Sequence, residues 1–397
     1  MKIAYFTHSL DSCWNHGNAH FLRGVLRELI SRGHEVRAYE PEDSWSRANL
    51  VGDHGETGLD AYRRAYPELS SDRFAAGDDV AALIGDAELV VVHEWNDPTL
   101  VATIGRLRRR GGQFTLLFHD THHRAVSDPE AIRAFDLSGY DGVLAFGETL
   151  SAVYRRWGWG DRVWTWHEAA DLRHFHSPEV EERREGLVWI GNWGDGERTR
   201  EIESFLLGPA RAGGLPLDIY GVRYPEEAGA MLARYDARYH GWAPNAAAPG
   251  IFARHLATVH VPRRFYSTIL PGIPTIRVFE ALACGIPLLS APWEDSEGLF
   301  RVGEDFLMVR TGAEMTRRLR EVGEDATLRA SLVASGLETI RARHSCAHRV
   351  DELLEIVARL APGRSNSRPG TPHSAPPNPE GASEANTNLP LNLGTAA

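Results

Sequence analysis

The sequence predicts an α/β protein built from two doubly wound parallel sheets, and three observations carry that expectation. Short apolar strand patterns alternate with amphipathic helix patterns along both halves, as crossover-connected parallel strands require. A polar stretch over 171–185, with Ser177-Pro178 and a dense run of charge, divides the alternation into two series. The chain has 397 residues, 43% of them hydrophobic. That length suits two domains of about 150 to 200 residues, each with an ordinary core.

The first series opens with a strand at 2–7. A helix over 20–31 follows, because Phe21, Val25, Leu26, Leu29 and Ile30 recur at helical spacing. Gly33-His34 breaks it before a strand at 35–39. Strands at 89–93, 114–118, 142–145 and 162–165 continue the series, with helices over 98–110 and 148–157. Trp157, Trp159, Trp164 and Trp166 form an aromatic run. Alternation through Trp164 and Trp166 fits a strand face, so the run reads as core rather than as a sugar platform. These elements make a first domain over 1–175.

The second series has strands at 187–191, 217–220, 258–261, 286–290 and 306–309. A helix follows Pro225, and helices run from 314 to 360. The second domain therefore spans 185–345, followed by a last helix over 346–361. From Pro362 the composition shifts to Pro, Ser, Asn, Gly and Thr. Such a tail buries too little apolar surface to offset its ordering entropy, so 362–397 is expected to be disordered.

Bulk properties exclude several functions. The net charge of −11 argues against a nucleic-acid partner, which calls for a basic stripe. Cys13, Cys284 and Cys346 are odd in number and far apart, which predicts neither a disulfide framework nor a zinc site and favours a reducing cytoplasm. The N-terminus runs straight into a strand pattern, without a leader signature. No uncharged apolar run approaches 18 residues, so no membrane span is expected. After the first strand stands Thr7-His8-Ser9 rather than Gly-x-Gly-x-x-Gly, which argues against a nicotinamide oxidoreductase.

The most informative segment is TIRVFEALACGIPLLS at 275–290. Thr275 is placed to cap a helix, Gly285 and Pro287 end it, and an apolar strand follows. A helix start at this place in an α/β domain suits an anion, because free N–H groups and the helix dipole converge there. Arg277 and Glu280 lie three apart and share a face.

This segment resembles the donor-binding helix of retaining GT-B glycosyltransferases of the family 4 kind, and its Arg-x-Phe-Glu form is most similar to their spore-maturation-protein-like branch. LISRGHEV at 29–36 and Ala170-Asp171 to Phe175, followed by Ser177-Pro178, resemble further landmarks of that family. The resemblance implies two Rossmann-like domains facing a central cleft, with a last helix crossing back to the first domain. It implies transfer of a hexose from a UDP-, GDP- or ADP-sugar to a hydroxyl acceptor, without cofactor or metal. Glu280 would hold the ribose. Arg198, with Arg200 as the alternative, would reach the diphosphate from the loop GNWGDGER at 191–198, where Gly191 and Asn192 also approach the donor. Arg263, Thr275 and Arg277 would lie on the phosphate side, and Gly17 in the first-domain turn would allow close approach, with Asn18 capping the following helix.

The resemblance assigns His119 a contact to the donor sugar, with Asp120 orienting it or touching the acceptor. His93, Glu94 and Asp97 follow a strand and are acceptor-side candidates. His119, His122 and His123 invite a metal reading, but adjacent histidines converge poorly on one cation, and none is expected. The chain departs from the family where a second Glu would stand: that position is Gly272. The departure leaves open a GT-B binding protein without transfer activity, and a nucleotide-sugar epimerase on the same fold is a further alternative.

Overall fold

The computed structural model describes residues 1–178, 184–194 and 196–360. The expected disordered tail, and part of the expected linker, lie outside the described residues.

Thirteen described strands form two wholly parallel sheets. The first contains β1 (Lys2–Phe6), β2 (Glu35–Pro41), β3 (Ser71–Phe74), β4 (Leu89–His93), β5 (Thr115–Asp120), β6 (Gly142–Ala145) and β7 (Val163–Thr165), in the order β3-β2-β1-β4-β5-β6-β7. The second contains β8 (Leu187–Ile190), β9 (Leu217–Tyr220), β10 (Ala237–Tyr239), β11 (Ala257–His260), β12 (Leu288–Ser290) and β13 (Leu307–Met308), in the order β10-β9-β8-β11-β12-β13. Strand order reverses beside β1, which pairs β2 on one side and β4 on the other. It reverses again beside β8, which lies between β9 and β11. Ligands in open parallel sheets bind beyond the carboxyl ends of strands at such reversals. The architecture is the GT-B arrangement of two Rossmann-like domains.

The edge strands β3 and β10 escape sequence reasoning because neither is buried on both faces. Asp72, Arg73, Arg238 and Tyr239 are exposed there, and no continuous apolar run marks them. Strand β5 extends to Asp120, further than its apolar run, so His119 and Asp120 are part of the strand itself.

One cluster of buried side chains joins the halves. It includes Val25, Leu29 and Trp166 from the first domain, Phe279 and Leu282 from the second, and Val350 and Leu353 from the helix Cys346–Leu360. That helix packs on the first-domain helix Ala19–Ser31. Trp166 Nε1 donates to the Arg349 carbonyl at 2.8 Å, and Arg32 Nη2 to the Ala347 carbonyl at 3.1 Å. The helices come this close because Gly24 has no side chain: a Cβ there would lie 2.5 Å from Cys346 Sγ. Of the tryptophan run, Trp166 is fully buried, whereas Trp157 and Trp159 lie at the rim under Arg133 and Arg162.

Candidate active site

The loops leaving β1, β8, β9 and β10 converge with the start of the helix Ile276–Ala283 on one cleft. Asn15, His16 and Gly17 line one wall. Gly191, Asn192, Val222, Asn245 and Arg277 line the other. Among the described residues lining the cleft, none is Asp or Glu. Asn15 takes a left-handed φ of 48°, which Asn tolerates better than most residues. Asn192 Nδ2 donates to Asn15 Oδ1 across the cleft, and Asn192 Oδ1 accepts from the Val222 amide at 3.1 Å. Gly17 packs on the helix start, where a Cβ would meet Ile276 Cγ2 at 3.3 Å.

Glu280 sits immediately behind Arg277 and is fully buried. Its Oε1 accepts from His20 Nδ1 at 3.0 Å and from Asn245 Nδ2 at 2.7 Å, and its Oε2 accepts from Arg277 Nη1. The Asp171 amide donates to His20 Nε2 at 2.8 Å, so in the neutral ring the proton sits on Nδ1, facing Glu280. His20 is also stacked on Phe175, with centroids 3.6 Å apart. Burial opposes ionisation of Glu280, but Arg277, His20 and Asn245 outweigh it and hold the carboxyl below the usual glutamate range. The result is a three-way clasp in which helix, second-domain loop and first domain share one carboxylate.

Thr275 occupies the cap position of this helix but makes no side-chain cap bond, contrary to expectation. Its hydroxyl is taken by His260 Nε2 at 3.1 Å. Ser290 donates its own proton to the Ala291 carbonyl at 2.8 Å, so His260 Nδ1 is the donor to Ser290 Oγ at 2.9 Å. Burial, with Arg198 and Arg277 nearby, lowers His260 to about 3 and keeps it neutral. The Thr275 hydroxyl is therefore the donor to Nε2, and its lone pairs face no intramolecular requirement. Asn18 likewise leaves its helix uncapped and donates instead to Thr121 Oγ1 at 2.6 Å.

Several expected donor contacts fall elsewhere. Arg198 is buried and turned inward, donating to the carbonyls of Asn192, Trp193 and Val261. It pins the loops after β8 and β11 from behind instead of facing the cleft. Arg263 Nε donates to Glu197 Oε1 at 3.0 Å. Gly272 is not among the residues that line the cleft. It holds φ 87° against the segment that bears Glu297, and a Cβ there would lie 2.6 Å from Ser296 Oγ. Glu297 in turn accepts from the Glu148 amide at 2.8 Å and bonds His167 Nε2 at 2.7 Å, which ties the domains together. At Gly272 the chain therefore builds a domain contact.

In the first domain, outside the cleft lining, a buried cluster of histidines and acids lies at the carboxyl ends of β4 and β5. His119 Nδ1 bonds the Tyr5 hydroxyl at 2.7 Å, and its Nε2 has no partner. His93 Nε2 lies 3.0 Å from both Thr121 Oγ1 and Glu94 Oε2, while its Nδ1 is unpartnered. Asp120 accepts from the Tyr154 hydroxyl at 2.6 Å and from the His122 amide at 3.0 Å. Burial raises Asp120 to about 6 and, together with Asp120, raises Glu94 well above the carboxylate range. Burial lowers His119 to about 3, and His93 and His16 well below the imidazole range. The histidines and Glu94 are thus held uncharged, whereas Asp120, at about 6, is mostly ionised at pH 7. Asp97 is taken up as a helix cap, accepting from the Thr99 amide at 2.7 Å. Among the described residues no three His, Cys, Asp or Glu side chains are placed to hold a metal ion.

Sequence reasoning missed His16, His20, Asn245 and Glu168. Asn245 lies in a loop with no motif. Glu168 is buried without a partner for Oε1, and burial and Glu280 raise it; no local pattern betrays it.

A family model described as glycosyl transferase-like matches residues 198–355. The chain is similar in structure to an alpha-glucosyltransferase in complex with UDP and a 13-mer DNA containing an HMU base, with 13% identity, 90% of this chain and 99% of that one covered, and a TM-score of 0.65. It is also similar to a sucrose-phosphate synthase from Thermosynechococcus elongatus, at 14% identity, 91% and 99% coverage and a TM-score of 0.60. Anabaena HepE in complex with UDP and glucose aligns at 12% identity, 90% and 99% coverage and a TM-score of 0.64. Among curated proteins none matches. A GT-B fold bearing a glycosyl transferase-like domain defines an enzyme of the glycosyltransferase class. Among the described residues no helix is long and apolar enough to cross a membrane.

Proposed function

We propose that this chain transfers a hexose from a UDP-sugar to a hydroxyl acceptor, with retention of configuration and without a metal, as a cytoplasmic member of the family 4, spore-maturation-like kind. The observation that carries this reading is Arg277, held by Glu280 at a helix start in a cleft between two strand-order reversals. A guanidinium has five N–H donors. With Nη1 committed to Glu280, the others suit a diphosphate, and the helix dipole adds to the same field. Stabilising charge as it builds on the leaving diphosphate is the principal electrostatic task of the reaction, and a fixed cation performs it without reorganisation. Asn192 and the Thr275 lone pairs offer uncharged partners for ribose and phosphate.

Retention is what the resemblance to family 4 implies, and with no carboxylate among the described cleft-lining residues to form a covalent glycosyl-enzyme intermediate, the reading is same-face transfer. The acceptor hydroxyl then attacks from the face the diphosphate leaves, and a donor phosphate oxygen takes its proton. Neutral His119 and His93, below the cleft on the first-domain side, suit hydroxyl recognition. The neighbours in complex with UDP favour UDP over the GDP and ADP alternatives. The test is a thermal-shift and calorimetric panel of UDP-, GDP-, ADP- and TDP-sugars on wild type and Arg277→Ala, with donor hydrolysis followed in parallel. The reading predicts selective binding of UDP-sugars, at least tenfold weaker in the variant. Equal affinity in the two proteins would refute it, and sugar isomerisation without transfer would favour the epimerase.

A further inference from the structure

Resting on the reading of the first domain as the acceptor side, we propose that the acceptor is a saccharide, stacked on Trp45 and Trp95 above a floor of histidines. Trp45 and Trp95 are 44% and 40% exposed, high values for the most hydrophobic of large rings. Trp45 opens the helix Trp45–His54 after β2 and Trp95 lies in the loop after β4, and both flank His8 of the loop after β1, with centroids 6.2 Å and 6.1 Å from it. His8 in turn lies 5.5 Å from His16, which lines the donor cleft, and His16 lies 6.4 Å from His93. The shelf is therefore continuous with the cleft.

Two properties point to a sugar. First, His16 Nε2, His93 Nδ1 and His119 Nε2 are buried ring nitrogens without partners, and each of these residues is more than nine-tenths buried. Buried polar atoms in native proteins are normally paired, and those that are not call for a ligand or water. A neutral imidazole offers one donor and one acceptor, the complement of a sugar hydroxyl, while an indole face covers the C–H face of the ring. Second, among the described rim residues one cation, Arg124, stands without a carboxylate ion pair, too few for a nucleic-acid backbone. Arg47 is paired with Asp11 at 3.3 Å and Glu56 at 2.9 Å. Arg124 lies 4.1 Å over Trp95 and donates to the Glu94 carbonyl at 2.8 Å. Nucleic acids need several such cations for their backbone, and this chain carries a net charge of −11.

The test is calorimetry on the full chain with UDP present, titrating maltotriose, cellotriose, chitotriose and mannotriose, and separately a short duplex DNA. At least one trisaccharide should bind. Trp45→Ala and Trp95→Ala should each weaken it roughly five- to tenfold, and the corresponding Phe variants should stay near wild type. Binding of DNA alone, binding of no trisaccharide, or wild-type affinity in both Ala variants would overturn the proposal. A separate UDP titration keeps the two readings distinct: a protein that binds UDP but no sugar fails here only, and one that binds sugar but no UDP fails in the donor assignment only.

Discussion

Glu280→Gln is the most revealing single change, because one buried carboxylate joins three structural units. The amide is isosteric but carries one acceptor and one donor group. If its oxygen keeps His20 and Asn245, at 3.0 and 2.7 Å, its NH₂ faces the guanidinium of Arg277. If it flips, NH₂ faces two donors. His20 cannot relieve this by moving its proton, since Nε2 already accepts from the Asp171 amide. Breaking a buried ion pair costs about 3–5 kcal/mol, and the Arg277 side chain, 17% exposed, recovers part of that by hydration. A net loss of about 2–3 kcal/mol follows. Because Glu280 titrates lower folded than unfolded, its contribution is full above the unfolded value and is lost as pH falls through the folded one. Urea unfolding at pH 7 and at pH 4 should show a smaller gap between wild type and variant at the lower pH. UDP affinity should fall with the loss of Arg277 alignment. A variant within 0.5 kcal/mol of wild type at pH 7 would refute the clasp (that threshold being about the noise of surface substitutions).

Three further outcomes follow from the geometry. Arg198→Ala should cost about 2–4 kcal/mol in urea unfolding, since it leaves three buried carbonyls short of a donor; a stable variant that merely loses transfer would return Arg198 to the diphosphate. Gly272→Ala should destabilise by about 1–3 kcal/mol, because φ 87° and a 2.6 Å approach to Ser296 Oγ both oppose a Cβ. A neutral result in thermal unfolding would contradict the packing at that domain contact. His119, His123 and His260, each lowered to about 3 chiefly by burial, stay neutral in the fold while the unfolded chain takes up protons below the ordinary imidazole value. Stability should therefore fall from about pH 6.5 downward, by about 1.4 kcal/mol per histidine at pH 5.5. Urea melts from pH 7.5 to 5 should show the slope, and His260→Gln should reduce it.

The fold was legible from sequence because its signals are local. The runs at 89–92 and 142–145 are apolar throughout, as strands buried on both faces must be. Helix stops at Gly33 and Gly285 follow from their positive φ of 83° and 62°. The edge strands β3 and β10 were invisible because their residues meet water. At the site, the TIRVFE segment marked the right helix, and Arg277, Gly17, Gly191 and Asn192 meet at the cleft. Arg198 misled because sequence shows that a cation follows a loop, but not which way it turns. Its direction depended on carbonyls of Asn192, Trp193 and Val261, the last 63 residues away. Trp45, Trp95 and His8 come from a helix start and two loops and have no common sequence signal.

By itself, then, the chain of amino acids determined two parallel sheets, the order of their elements and the helix that faces the cleft. These rest on periodicity, capping geometry and backbone stereochemistry, which act over a few residues. Tertiary structure alone decided that Glu280 is shared by His20, Asn245 and Arg277, that Thr275 serves His260, and that Gly272 adjoins a domain contact. Hydrogen-bond partners are chosen by whichever polar groups burial brings within 3 Å or so, and burial is settled only when both domains close.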